Sequence, residues 1–207
     1  SDVCSSDLVE THVKMFLEYL EEIDRSDHYK ARNALFFDVL IKTGCRISEG
    51  LTLKMNSIIF RADAVVCVFF GKGGKTREVP LPYGNNTNKL VSNRVFSENL
   101  KYFMEVQRKA FLKGKESEYI FLSNRGTRWS DDQARIMFDT VMKELELTTF
   151  NYTPHSLRHS VATHLLYNGV PEREVATILG HASPTVTNQI YSHTEDSKIQ
   201  KGMTLGY

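Results

Sequence analysis

Four side chains of this 207-residue sequence have the types that metal-free phosphodiester chemistry needs. Arg46 lies in TGCRISEGLTL (43 to 53) and Arg158 in HSLRH (155 to 159). A planar guanidinium fork is the side chain best matched to two non-bridging oxygens of a phosphodiester on which charge is building. The same reaction takes a nucleophile and a proton donor for the leaving oxygen. Tyr191, in IYSH, and Lys72, in GKGGKTREVPLP (71 to 82), fit those tasks. A phenol with a pKa near ~10 attacks poorly unless positive charge meets it, and the arginine pair with Lys72 supplies that field.

The residues around these four narrow the chemistry. His155 precedes Arg158 by three positions and shares its helical face. His155, His159 and His164 fall on one helix, but the first and last are nine positions apart and face opposite sides at about 100° per residue. No matching carboxylate or distant ligand accompanies them, so no metal site is expected. The glycine-rich turn carries Lys72, Lys75 and Arg77 with no acidic residue, which suits contact with a phosphate backbone in a groove.

The elements that must position these groups are legible from periodicity. Val9, Val13, Phe16, Leu17 and Leu20 trace an amphipathic first helix over Val9 to Ile23. Tyr29 to Thr43 is too apolar for a surface stripe and predicts a buried helix, stopped by Gly44 in a left-handed conformation. Ala64 to Phe70 and Thr76 to Leu81 flank the glycine-rich turn as a hairpin, with Ser57 to Phe60 available as a third strand. Phe96, Leu100, Phe103, Met104 and Phe111 keep a helical period, and Tyr119 to Leu122 forms a short apolar run. Ser130 with Asp131 then opens a helix carrying Ala134, Met137, Val141 and Leu145. Thr153-Pro154 caps a helix running to Gly169, and Pro171 to Gly180 and Ser183-Pro184 to Tyr191 repeat that grammar.

Composition bounds the answer. At 41% hydrophobic and 25% charged, the chain suits one globular domain with a full core and excludes disorder and collagen-like repeats. The longest apolar run, Ala64 to Phe70, is far too short to span a bilayer. Cys4, Cys45 and Cys67 make an odd count without CxxC spacing, so neither a disulfide framework nor a zinc cage is expected, and a reducing cytoplasm is the default. With 26 basic and 25 acidic residues, bulk charge by itself predicts no nucleic-acid partner. The opening SDVCSSDL resembles the in-frame translation of a sequencing-library adapter. Ser1 to Leu8 are therefore set aside from the fold, with residues 9–207 expected as one domain and a further segment expected upstream.

Taken in order and spacing, TGCRISEGLTL, GKGGKTREVPLP, HSLRH, LGH and IYSH resemble the tyrosine recombinases, or phage integrases, across Val9 to His193. The resemblance implies an α+β, mainly helical, integrase-like DNA breaking-rejoining catalytic domain with a small antiparallel three-stranded sheet, lacking the family's N-terminal core-binding domain. It implies that Arg46 and Arg158 clamp the scissile phosphate and that Tyr191 attacks to give a 3′-phosphotyrosyl link. Lys72 would protonate the 5′ oxygen, His155 would act as base or hydrogen-bond donor, and His181 would donate to the phosphate or orient the nucleophile. Glu49 would support the arginines, His159 would buttress the site, and Lys75 and Arg77 would contact DNA. No cofactor or metal is implied. The implied partner is double-stranded DNA, bound by a homotetramer on synapsed duplexes and by a monomeric or weakly associating chain otherwise, in a prokaryotic cytoplasm and without a membrane. A type IB topoisomerase or telomere resolvase, and a catalytically inactive DNA-binding accessory protein, are the rival readings. Three departures stand out: His181 and Tyr191 are ten apart where nine is commoner, Gly50 replaces a leucine, and Ser57 stands where aspartate is common.

Overall fold

The computed structural model of the chain describes residues 8–71, 76–84 and 92–180. The architecture is α+β and mainly helical, with one three-stranded antiparallel sheet in the order β1-β2-β3. At its centre is α2 (His28–Thr43), capped by Asp27, whose carboxylate accepts from the Tyr29 and Lys30 amides at 2.8 and 2.9 Å. Such a cap answers two of the amides that a helix start leaves unpaired. Phe36 and Phe37 project from α2 into an aromatic cluster. Phe36 meets Phe121 and Trp129 edge-on at 5.2 Å, and Phe37 meets Phe16 at 5.8 Å. Those partners lie in α1 (Glu10–Glu22), in the 121 strand-like segment and beside the start of α6 (Asp131–Glu144), so α2 gathers distant chain around itself.

The sheet forms where expected. β1 (Ile58–Phe60), β2 (Ala64–Phe70) and β3 (Thr76–Pro82) place Cys67 between Ile58 and Val79. Only β3 holds prolines, Pro80 and Pro82, and it is an edge strand, where a missing N–H breaks no ladder. Ser57, expected to lead into β1, sits instead in a 3₁₀ turn. Its buried hydroxyl accepts from the Lys54 amide at 3.0 Å, a local bond open to a hydroxyl in that position.

The helical run from Phe96 to Phe111 differs from a single regular helix. It comprises α4 (Asn93–Tyr102), a π-helical turn over Phe103–Gln107 and α5 (Lys109–Leu112). The Arg108 amide reaches back five residues to the Phe103 carbonyl at 2.8 Å. The wider turn lets Phe103, Met104 and Phe111 all be buried, and Arg108 folds inward to the Tyr119 and Ser117 carbonyls at 2.8 and 2.5 Å. Leu8 also differs from expectation. It is buried, and its backbone exchanges bonds with the Ser160 hydroxyl, so the packed chain includes a residue set aside with the opening octapeptide. The expected helix from Ser183 to Tyr191 lies outside the described residues. No helix among the described residues is long and apolar enough to cross a membrane.

Two elements complete the frame. α7 (Pro154–Tyr167) starts with the Thr153 amide donating to the Ser156 hydroxyl, and α8 (Glu172–Leu179) folds back on it around Ala162, Leu166, Val175 and Leu179. This small second core reaches α2 at Gly44. There φ is +63°, the amide bonds the Leu40 carbonyl at 2.8 Å, and an added Cβ would run into the Leu179 side chain and come 3.1 Å from Val161. Gly50, in α3 (Ile47–Leu51), serves the close approach of α3 to α2, since a Cβ there would lie 3.1 Å from the Phe36 ring. Gly44→Ala is expected to cost about 1–3 kcal/mol from the left-handed backbone, with the collision against α8 added. A lowered urea midpoint with an unchanged slope would show it.

Candidate active site

Four elements meet at the carboxyl end of α2. Gly44 turns the chain sharply, and Arg46 follows as the N-cap of α3, its amide donating to Glu49 Oε2 at 2.7 Å. The Arg46 guanidinium is held only loosely. Its Nη1 is 3.4 Å from Glu49 Oε1 and 3.5 Å from the Gly180 carbonyl, and 44% of the side chain is exposed.

Arg158 is its opposite, with 3% of the residue exposed. It rises from α7 under the same turn, and its Nη1 donates to the Gly44 carbonyl at 2.7 Å. Its Nη2 is buried with no hydrogen-bond partner among the described residues. A buried guanidinium nitrogen without an acceptor is costly, and such groups call for a functional explanation. Burial lowers the Arg158 pKa to about 10, with the Arg46 charge adding to the effect and Glu49 opposing it. The group therefore stays cationic at neutral pH.

Glu49 and Arg77 form the third part. Arg77, on β3, donates Nη1 and Nη2 to the two carboxylate oxygens at 2.7 and 3.0 Å, and Nε to the Ile178 carbonyl at 2.9 Å. Its guanidinium lies over the Phe69 ring, 4.6 Å from the centroid. Burial opposes the Glu49 charge, but the Arg77 fork, the Arg46 amide and both guanidiniums outweigh it and hold the carboxyl below its ordinary pKa. The structure thus gives Arg77, expected at the DNA, a different set of partners, and all three kinds of guanidinium nitrogen are engaged within the protein. Nothing in the sequence pairs it with Glu49, because the two are joined only by the way β3 packs beside α3 and α8. Glu49, expected to support the arginines, touches both Arg46 and Arg77.

His155 lies one helical turn before Arg158 on α7, and its ring meets His159 edge-on at 4.5 Å. Partial desolvation lowers the His155 pKa, helped by the positive charge of His159, Arg158 and Arg46. Cys45, beside this cluster, is fully buried, and burial pushes its thiol up to about 12, so it stays neutral. Among the described residues no three His, Cys, Asp or Glu side chains form a group that could hold a metal. Lys72, Lys75, His181 and Tyr191 lie outside the described residues; Gly71, Thr76 and Gly180 are the described positions next to them.

The cluster therefore brings Arg46, Glu49, Arg77, His155, His159 and Arg158 together, three guanidiniums facing one carboxylate. That excess of positive charge, with a donor inside it that has no partner among the described residues, is chemically suited to an anion.

Comparison with known proteins places the chain in a family. The phage integrase family profile matches residues 7–198. The chain belongs to the phage integrase family. Similar members include a tyrosine recombinase XerC of Bacillus pumilus, 32% identical over 90% of this chain and 59% of its own length. A tyrosine recombinase XerD of Oceanobacillus iheyensis is also 32% identical, over 89% of this chain and 57% of its own length. The chain thus spans somewhat over half the length of these relatives. Among solved structures, XerA recombinase superposes with a TM-score of 0.72 at 28% identity, covering 96% of this chain and 64% of that one. The fold of the site-specific recombinase XerH, bound to palindromic difH substrate in a post-cleavage complex, matches with a TM-score of 0.80 at 24% identity over 96% of this chain and 52% of that one. The mainly helical fold with its small antiparallel sheet is the family's catalytic-domain fold.

The depressed pKa of His155 has a measurable sign. Protonation favours the unfolded chain, so this histidine's contribution to stability is complete above the ordinary imidazole value near ~6.5 and is lost as pH falls through it toward the lower folded value. In an NMR titration the His155 ring is expected to have its midpoint below that ordinary value, and Arg46→Ala should move it upward. A midpoint that ignores Arg46 would contradict the proximity of the two charges.

Proposed function

We propose that this chain is the catalytic portion of a site-specific DNA recombinase that breaks and rejoins duplex DNA through a 3′-phosphotyrosyl link. One observation carries the reading: the buried Nη2 of Arg158, without a partner among the described residues, beside the loosely held Arg46 guanidinium. Two such donors suit the two non-bridging oxygens of a phosphodiester, and donors fixed before the reaction stabilise developing charge without having to reorganise. Membership of the integrase family and the similarity in fold to XerH bound to its difH substrate support DNA as the partner.

In this mechanism the Tyr191 phenolic oxygen attacks phosphorus, the bond from phosphorus to the 5′ oxygen breaks, and Lys72 gives its proton to that oxygen. His155, held toward its neutral form, is matched to accept the phenolic proton, and His181 donates to the phosphate or orients the nucleophile. Arg46 and Arg158 hold the non-bridging oxygens, Glu49 and His159 steady them, and Lys75 meets the DNA backbone. A 5′ hydroxyl from a second duplex then attacks the phosphotyrosyl bond and releases Tyr191. The ester energy is conserved in the protein link, so strand exchange by a tetramer on two synapsed duplexes takes no nucleotide hydrolysis and no cofactor.

A nicked suicide duplex, incubated with the full-length natural chain and resolved on a denaturing gel, tests the proposal. Wild type is expected to form a covalent adduct and Tyr191→Phe none. Arg158→Ala should slow adduct formation about 100-fold or more, the scale for losing a donor to transition-state charge. Binding of the duplex in register without any adduct would point to a DNA-binding accessory protein instead.

A further inference from the structure

The Glu49 carboxylate is held far more tightly by one guanidinium than by the other. Arg77 takes both of its oxygens in a fork at 2.7 and 3.0 Å, and the two side chains are only 12% and 14% exposed. Arg46 gives Glu49 its backbone amide at 2.7 Å, while its guanidinium stays 3.4 Å away and 44% exposed. Glu49 therefore grips the main chain of Arg46 and leaves the charged head loose. The reason is competition: a fork-to-fork pair occupies the best acceptor directions of a carboxylate, and little remains for a second guanidinium.

We infer that Arg77 is a positioning residue that neutralises Glu49 so that the Arg46 guanidinium stays available to an anion in the site. The inference rests on the anion-clamp reading of Arg46 and Arg158. Without Arg77, Glu49 would be a mostly buried carboxylate in need of a cation, and Arg46, already bound to it through its amide and through a long 3.4 Å contact of its Nη1, is the cation beside it. Arg46 would turn inward into that pair. The site would lose one net positive charge, and with it the availability of Arg46, because the charge deleted with Arg77 is the one that Glu49 already cancels. Arg77 also bonds the Ile178 carbonyl at the end of α8, so a simple scaffolding role is the rival explanation.

Charge removal at Glu49 separates the two. Inorganic phosphate is titrated into the full-length chain while the arginine Nε–H signals are followed by NMR, with thermal unfolding checking each variant. Arg77→Met keeps the apolar contact with Phe69 and is expected to weaken phosphate binding about tenfold, since it removes a nearby charge in a poorly screened site. Adding Glu49→Gln, which keeps an acceptor for the Arg46 amide, is expected to restore binding to within about threefold of wild type. Arg77→Lys, a point charge without the fork, should lie between wild type and Arg77→Met. If Arg77→Met does not fold, Arg77→Lys with and without Glu49→Gln carries the same comparison. A double variant no better than its single parent would overturn the inference and favour scaffolding. Absence of phosphate binding in wild type would overturn the anion-clamp reading itself, a distinct result.

Discussion

A guanidinium shut away from water is among the more expensive groups a protein can keep, and the fold around Arg158, one of whose nitrogens has no partner among the described residues, is built to keep it. α7 delivers the side chain from below, and the Gly44 carbonyl at the end of α2 takes its other terminal nitrogen at 2.7 Å. The turn can offer that carbonyl because Gly44 adopts a left-handed conformation that would strain any other residue. Leu179 and Val161 pack directly over it, so the satellite core of α7 and α8 locks the turn from the far side. Stability and site chemistry thus share the same few atoms.

The second constraint is charge balance. Three guanidiniums within one cluster repel one another, and a single carboxylate must hold them without cancelling the site. Glu49 does so asymmetrically, forked to Arg77 and bonded to Arg46 mainly through the main chain. The arrangement ties the hairpin, the α3 turn and the end of α8 to one anion. It also leaves two guanidiniums different in kind, one buried and one partly exposed.

Family membership and bottom-up geometry reach the same place from different directions. The profile matches along nearly the whole chain, and the solved relatives share the arrangement of helices around the small sheet. The charge cluster depends on that arrangement: its members come from α3, β3 and α7, and it closes on backbone carbonyls at the ends of α2 and α8, so the α2–α3 turn, the hairpin and the α7–α8 pair, far apart in sequence, must all meet to assemble it. Gly50 illustrates the accommodation particular to this chain, as the lack of a side chain brings α3 against Phe36.

The sequence by itself determined the elements and the candidates. A short apolar run rich in β-branched residues, ending at a glycine-rich turn, specified Ala64 to Phe70 as a strand, Thr153-Pro154 announced a helix start, and Gly44 announced a helix stop, because local sterics and hydrogen bonding act within a few residues. The arginine, histidine and tyrosine motifs were legible for the same reason. The π-helical turn at Phe103–Gln107 and the burial of Leu8 were decided by tertiary packing, which overrides local period when an apolar face must be filled. So was the fate of Arg77. As a residue on a basic hairpin it looks like a DNA contact; as a neighbour of Glu49, Phe69 and Ile178 it is a counter-charge. Ion pairing depends on distance through space, and only the folded chain supplies it.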